Sequence, residues 1–328
     1  MAADRTRDAD RAADRVADLP ATPPRALDQP PPGDMALIAI AVAMVSTSGP
    51  LIRVARRHHA PAMSIAMWRN ALACLFIVPY ALVTRRAELR ALTRRDWLVC
   101  AAAGIVLAGH FATWVPSVGY TTVASATALV ATQPVWATLI ANFRGEDVAR
   151  RGWIGIGVAV AGAAALSGLD FAVSGRAVWG DVLALVGGML SGAYVTIGST
   201  ARQRVSTTVY TGICYSTAAG TLLAVCVVGR QPLMGYDARA WSAIAALTLA
   251  AQLFGHSVFN HVLKTTSATF VSLSILFEVA GSVLLAGIFF DEWPSIAVLP
   301  AAAVMISGIV IVVRAGRTPE VSGVPVME

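Results

Sequence analysis

GHFATW occupies residues 109–114 and GHSVFN residues 255–260, each in the middle of a long apolar run, 146 positions apart. In both, a Gly-His pair is followed, four residues after the histidine, by a large hydrogen-bonding side chain, Trp114 in one and Asn260 in the other. Residues i and i+4 lie on one face of a helix. Each segment therefore predicts a polar stripe on an apolar helix, and such a stripe must face protein or water.

The surrounding sequence sets the medium. Of 328 residues, 56% are hydrophobic and 13% charged, against about 25% charged in a soluble domain. Crossing a hydrocarbon core takes about 20 helical residues. Runs of that kind are predicted near 36–55, 61–83, 97–118, 122–143, 152–168, 178–199, 208–228, 240–263, 268–290 and 296–313. The expected class is an all-α integral membrane protein with ten spans, its natural partner a lipid bilayer. Residues 1–34 carry Arg, Asp and six prolines but no apolar h-region, so they read as a disordered cytoplasmic tail rather than a signal peptide, with Met35 an alternative start. Residues 317–328 form a second cytoplasmic tail.

Of the 25 Lys and Arg, 18 fall on one predicted side and six on the other, with Arg69 inside a span. This bias places both termini in the cytoplasm of a multi-pass protein of the cell membrane. The stretch RVARRHH (53–59) runs against it, with three arginines on the outer side. The +6 formal charge thus reports topology, and no nucleic-acid partner is implied. Cys74, Cys100, Cys214 and Cys226 are scattered in or beside apolar runs, as small core residues would be. No metal and no cofactor are expected.

The shift of 146 that aligns the Gly-His pairs also brings Tyr120-Thr121-Thr122 near Lys264-Thr265-Thr266 and lays FRGED (143–147) on FFDEW (289–293), Glu146 matching Glu292. Two five-helix repeats follow, 35–168 and 178–316. Five is odd, so the second repeat enters the membrane inverted, the arrangement of many secondary transporters. His110 and His256 are then pseudo-symmetric groups facing one central cavity. A plainer alternative makes each a hydrogen-bonding packing group, worth about 0.6 kcal/mol.

Glu278, in SLSILFEVAGSVLLAG, is the one acid after the tail placed well inside a span. A charged carboxylate there costs about 2.5–3.5 kcal/mol on insertion scales, a cost usually retained for function, here carriage of protons. Its approximate repeat mate is Gln133. Arg69, in MSIAMWRNALA, lies about eight residues into the second span, where it either snorkels to the surface or binds an anionic group. Pro50 and Pro134 each remove a backbone donor and predict hinges in the first and fourth spans. Small residues recur at four-residue spacing in Gly155-Ala159-Ala163, Gly188-Gly192 and Ala303-Ser307. They suit close packing within the chain or across a homodimer.

Ten spans in two halves, WRN (68–70), and GHFATWVPSVGYTTVASATALVATQP from 109 followed by GE (145–146) resemble the EamA-type members of the drug/metabolite transporter superfamily over roughly 36–316. The resemblance implies a central substrate cavity, export of small metabolites, often amino acids or related compounds, and family-type glutamates at Glu146 and Glu292. One departure is Glu-Val at 278–279 where the family commonly has a proline after this position, which predicts a straighter ninth helix.

The leading expectation is a secondary transporter of a small amphipathic molecule working by alternating access. His110, Trp114, Gln133, His256, Asn260 and Arg69 would bind substrate, and Glu278 would carry the proton. No GxxxxGK[ST] motif is present for an ATP-driven pump. An uncoupled facilitator would show the same repeat. An intramembrane enzyme using His110, His256, His261 and Glu278 is disfavoured by the lack of HExxH-like spacing, His256 and His261 standing on different sides of one helix.

Overall fold

The computed structural model describes residues 31–262 and 273–315. Residues 1–30 of the expected tail 1–34, the expected tail 317–328 with residue 316, and residues 263–272, which include the start of the ninth span, lie outside them; residues 32–34, expected in the tail, are helical. The helices are α1 Pro32–Ser46, α2 Ser48–Arg57, α3 Ala62–Thr84, α4 Arg86–Ala91, α5 Arg94–Tyr120, α6 Val123–Val130, α7 Gln133–Phe143, α8 Arg150–Val173, α9 Gly175–Ala201, α10 Thr207–Val228, α11 Ala238–Leu247, α12 His256–Val262, α13 Phe277–Phe290 and α14 Val298–Ala315, with a π-helical stretch Thr248–Gly255 joining α11 to α12. No strand occurs among the described residues.

Nine helical segments among the described residues are long and apolar enough to cross a membrane, two of them, Pro32–Arg57 and Val123–Phe143, continuing across a break between two of these helices. Ten spans were expected. The segment at 240–263, the eighth expected span, is not among the nine; it is helical throughout its described part but changes winding twice, from α to π and back. Exposed Leu75, Val83, Ile105, Val228 and Ile288 form part of the apolar surface that lipid would cover.

Local chemistry sets the helix ends. Thr93 and Asp96 form a reciprocal capping box at α5, and Thr122, Ser174, Ser206 and Asp237 accept from the first turns of α6, α9, α10 and α11. Within the first span, the helix is interrupted at Thr47, three residues before Pro50. Proline 50 has no N–H for the Ser46 carbonyl. That oxygen accepts instead from Ser282 Oγ on α13, at 2.8 Å. Ser282 is wholly buried, so Ser282→Ala should leave the carbonyl unsatisfied and lower stability by about 1–3 kcal/mol, read as thermal unfolding in detergent. The fourth span breaks likewise at Ala131–Thr132, ahead of Pro134.

The halves pack through paired spans. α5 lies on α9, as α1 lies on the π stretch; α7 lies on α9, as α13 lies on α1; α3 meets α10 and α8 meets α14. Glycines of the repeated motif sit at corresponding contacts. A Cβ on Gly109 would touch Leu190 at 3.2 Å, and one on Gly255 would touch Val45 at 2.6 Å.

Of the small-residue stripes, Gly155 and Ala159 are used within the chain, against Gly308 on α14. A methyl group at Gly308 would overlap the Ala159 backbone nitrogen. Gly308→Ala should therefore cost about 1–3 kcal/mol by overpacking. Gly157→Ala, where the added carbon meets nothing within 4 Å, should be neutral or slightly stabilising. Thermal melts of the two variants test the contrast.

Candidate functional site

The WRN triplet of α3 builds the centre of the site. Trp68 Nε1 donates to the Leu233 carbonyl at 2.8 Å, and its ring packs edge-on to Trp241, so this residue ties the second span to the loop before α11. Arg69 points inward and is 2% exposed. This burial removes the snorkelling alternative. Arg69 Nε donates to Gln252 Oε1 at 2.7 Å, and Gln252 Nε2 donates to Asn70 Oδ1 at 3.2 Å. Gln252 lies in the π-helical stretch, a winding that is rare and frequently marks functional sites.

Aromatic rings complete the Arg69 environment. Its Cζ stands 4.3 Å from the centroid of Phe111 and 6.0 Å from that of Trp114, both contributed by α5. His110 stacks on Trp114 with the planes 14° apart. Its Nδ1 lies 2.9 Å from the Gly187 carbonyl of α9; a carbonyl only accepts, so Nδ1 carries the proton in this contact.

The second half supplies the other polar groups. Arg69 is within electrostatic reach of Glu278, Tyr215, His110 and His256. His256 opens α12 and is exposed, within electrostatic reach of Arg69 and His110. Glu278 sits in the first turn of α13, half-buried, after a turn at Leu276. Gln133, at the start of α7, accepts from Ser191 Oγ at 2.7 Å, and its bond thus goes to α9. Asn260 lies on α12, but its side chain falls outside the described residues, as does that of His261. Among the described residues no group of three His, Cys, Asp or Glu could hold a metal ion.

A second network closes one end of the bundle. Arg53 Nη2 donates to Glu292 Oε1 at 2.9 Å and to the Thr121 carbonyl at 3.0 Å, and the same Glu292 oxygen accepts from Val123 N–H at 2.8 Å. Arg57 stands 4.6 Å over the Phe290 ring. His58 Nδ1 meets Asp237 Oδ2 at 2.6 Å. Backbone donation from Ala240, and then the His58 contact, hold the Asp237 carboxyl below its usual range. The RVARRHH residues that run against the charge bias are thus partly engaged with protein groups at their own end.

Sequence reading missed Gln252, Asn70 and Phe111. For Gln252 a signal existed: an amide in an apolar run needs a partner, and the residue 146 positions earlier is Val106, so the repeat breaks there. Asp181 was also missed as an interior group. It stands near the start of α9 yet is fully buried.

A family model, the EamA-like transporter family, matches residues 33–168 and again 178–314. One protein of known crystal structure is similar at 19% identity with a TM-score of 0.61, over 87% of this chain and 99% of that chain, a likeness of fold alone. No curated protein matches the chain. With two family repeats spanning most of its length and its helices apolar enough for a bilayer, the chain belongs to the EamA-like transporter family of the drug/metabolite transporter superfamily.

Proposed function

We propose that this chain is a secondary transporter that exports a small amphipathic metabolite, an amino acid or related compound, across the cell membrane by alternating access, coupled to protons through Glu278. The observation that carries the reading is the interior cluster. Arg69 and His110 come from the first half, Glu278 and His256 from the second, and all share one electrostatic neighbourhood among apolar helices. A site built from both halves changes its exposure when the halves rock against each other.

The mirrored pairing of spans supports two equivalent halves, and their odd span number supports inversion. Under this reading Pro50 and Pro134 are hinges, His110, Trp114, Gln133, His256, Asn260 and Arg69 line the substrate path, and both termini are cytoplasmic. Outward direction follows from the family resemblance.

Counterflow in proteoliposomes against a panel of amino acids and small metabolites, with and without an imposed pH gradient, tests the function. Gradient-driven movement of one compound is the expected result. Movement indifferent to the gradient would leave a facilitator, and no movement of any compound would remove transport from the reading. Everted vesicles report the direction.

A further inference from the structure

Arg69 offers more than a charge. One of its donors, Nε, is taken by Gln252, and the Phe111 ring covers the face of the guanidinium, an arrangement that leaves the in-plane N–H edge free for other partners. Nη1 on that edge is enclosed and has no acceptor among the described residues. Trp114, 5% exposed, presents its ring to the same guanidinium, and its Nε1 is also enclosed without an acceptor among the described residues. Guanidinium and indole nitrogens donate and never accept. Two neighbouring buried donors lacking acceptors, in an interior where an unmade hydrogen bond is costly, describe a place for an acceptor.

Among the described residues no acid supplies that acceptor. The ion pairs among the described residues are Arg53–Glu292, His58–Asp237 and Arg204–Asp96. Glu278 acts on Arg69 electrostatically without forming an ion pair with it.

We propose that Arg69 Nη1 and Trp114 Nε1 together bind the carboxylate of an organic substrate that carries a single carboxylate, an inference that rests on the transporter reading and narrows its substrate class. An ionised carboxylate is planar and accepts only, which matches two donors and the fork of an arginine. A primary amide brings donors towards donors, and an amine brings a like charge to Arg69. A dianion such as a phosphate monoester would be poorly compensated, with a single guanidinium opposing two charges. Phe111 and His110 stand beside these donors through the ring contacts already described, and would meet the organic part beside the carboxylate.

Matched probes separate these chemistries on one skeleton: butyrate against butyramide and butylamine, and phenylacetate against phenylacetamide and phenethylamine. The full chain in detergent is read by the shift of its unfolding midpoint with each probe, and in proteoliposomes by flux of the labelled probe. At least one carboxylate should raise the midpoint while its amide and amine leave it unchanged. Arg69→Gln should abolish that response, and Trp114→Phe, which keeps a ring and removes the donor, should weaken binding about tenfold. Monodisperse gel filtration checks folding. If Arg69→Gln does not fold, Trp114→Phe decides.

Equal response to the amine or amide, a full carboxylate response in Arg69→Gln or Trp114→Phe, or no response to either carboxylate overturns the proposal. Failure of the two readings looks different. Carboxylate binding without flux removes the transport reading and leaves the anion site, whereas flux without preference for carboxylates leaves the transporter and removes the site.

Discussion

Glu278→Gln is expected to abolish accumulation of substrate driven by a pH gradient while leaving substrate exchange at zero gradient partly intact. Glutamine keeps the size and hydrogen-bonding capacity of the protonated acid and cannot take up or release a proton at this position. With Glu278 as the carrier, its loss breaks the link between proton and substrate, and the accumulation ratio should fall to that reached without the gradient. The measurement compares uptake under an imposed pH gradient with counterflow at equal pH in the same proteoliposome preparation. Gradient-driven uptake unchanged in the variant would return Glu278 to a structural role. Loss of both activities in a variant that still folds would make it a binding group rather than a proton carrier.

Glu292→Ala should be the most destabilising change at the end closed by Arg53. Both side chains of this pair are about four-fifths enclosed, at 18% and 21% exposure, and Glu292 also accepts the Val123 N–H at the start of α6. Removing it leaves a guanidinium with only the Thr121 carbonyl and strips α6 of an N-terminal anion, which favours the helix dipole. A loss of about 2–4 kcal/mol is expected, below the full cost of a wholly buried pair because some water reaches both groups. Replacing both partners by apolar residues, Arg53→Met with Glu292→Leu, should recover most of the loss. A double-mutant cycle on unfolding midpoints reads the coupling. Additive single effects would show that the pair contributes nothing beyond its separate contacts.

These sites were legible to different degrees. Apolar run length placed the spans well, because crossing hydrocarbon is a requirement each segment meets by itself. Pro50 was legible too: a missing N–H is a local fact, and the helix is interrupted three residues before it. The group that takes up the freed carbonyl was not legible, since Ser282 is remote in sequence from Ser46. Arg69 shows the same divide. Eight residues from a helix end, an arginine can either reach out or stay in, and that choice depends on what the adjacent span offers. Here the π-helical stretch turns Gln252 towards it and α5 provides Phe111 and Trp114.

The amino-acid sequence by itself determined that this chain is a helical membrane protein of two similar halves, and it marked the Gly-His segments and Glu278 as the places where polar groups enter apolar helices. Those conclusions rest on hydrophobicity, periodicity and a repeat, all properties of the linear chain. Tertiary structure alone decided that Gly109 and Gly255 admit neighbouring spans, that His110 donates to α9, that Arg69 is buried on aromatic faces, and that Glu292 pairs with Arg53. In hydrocarbon a polar group must find its partner in the protein or in what the protein binds, and which partner it finds is set by which helices meet.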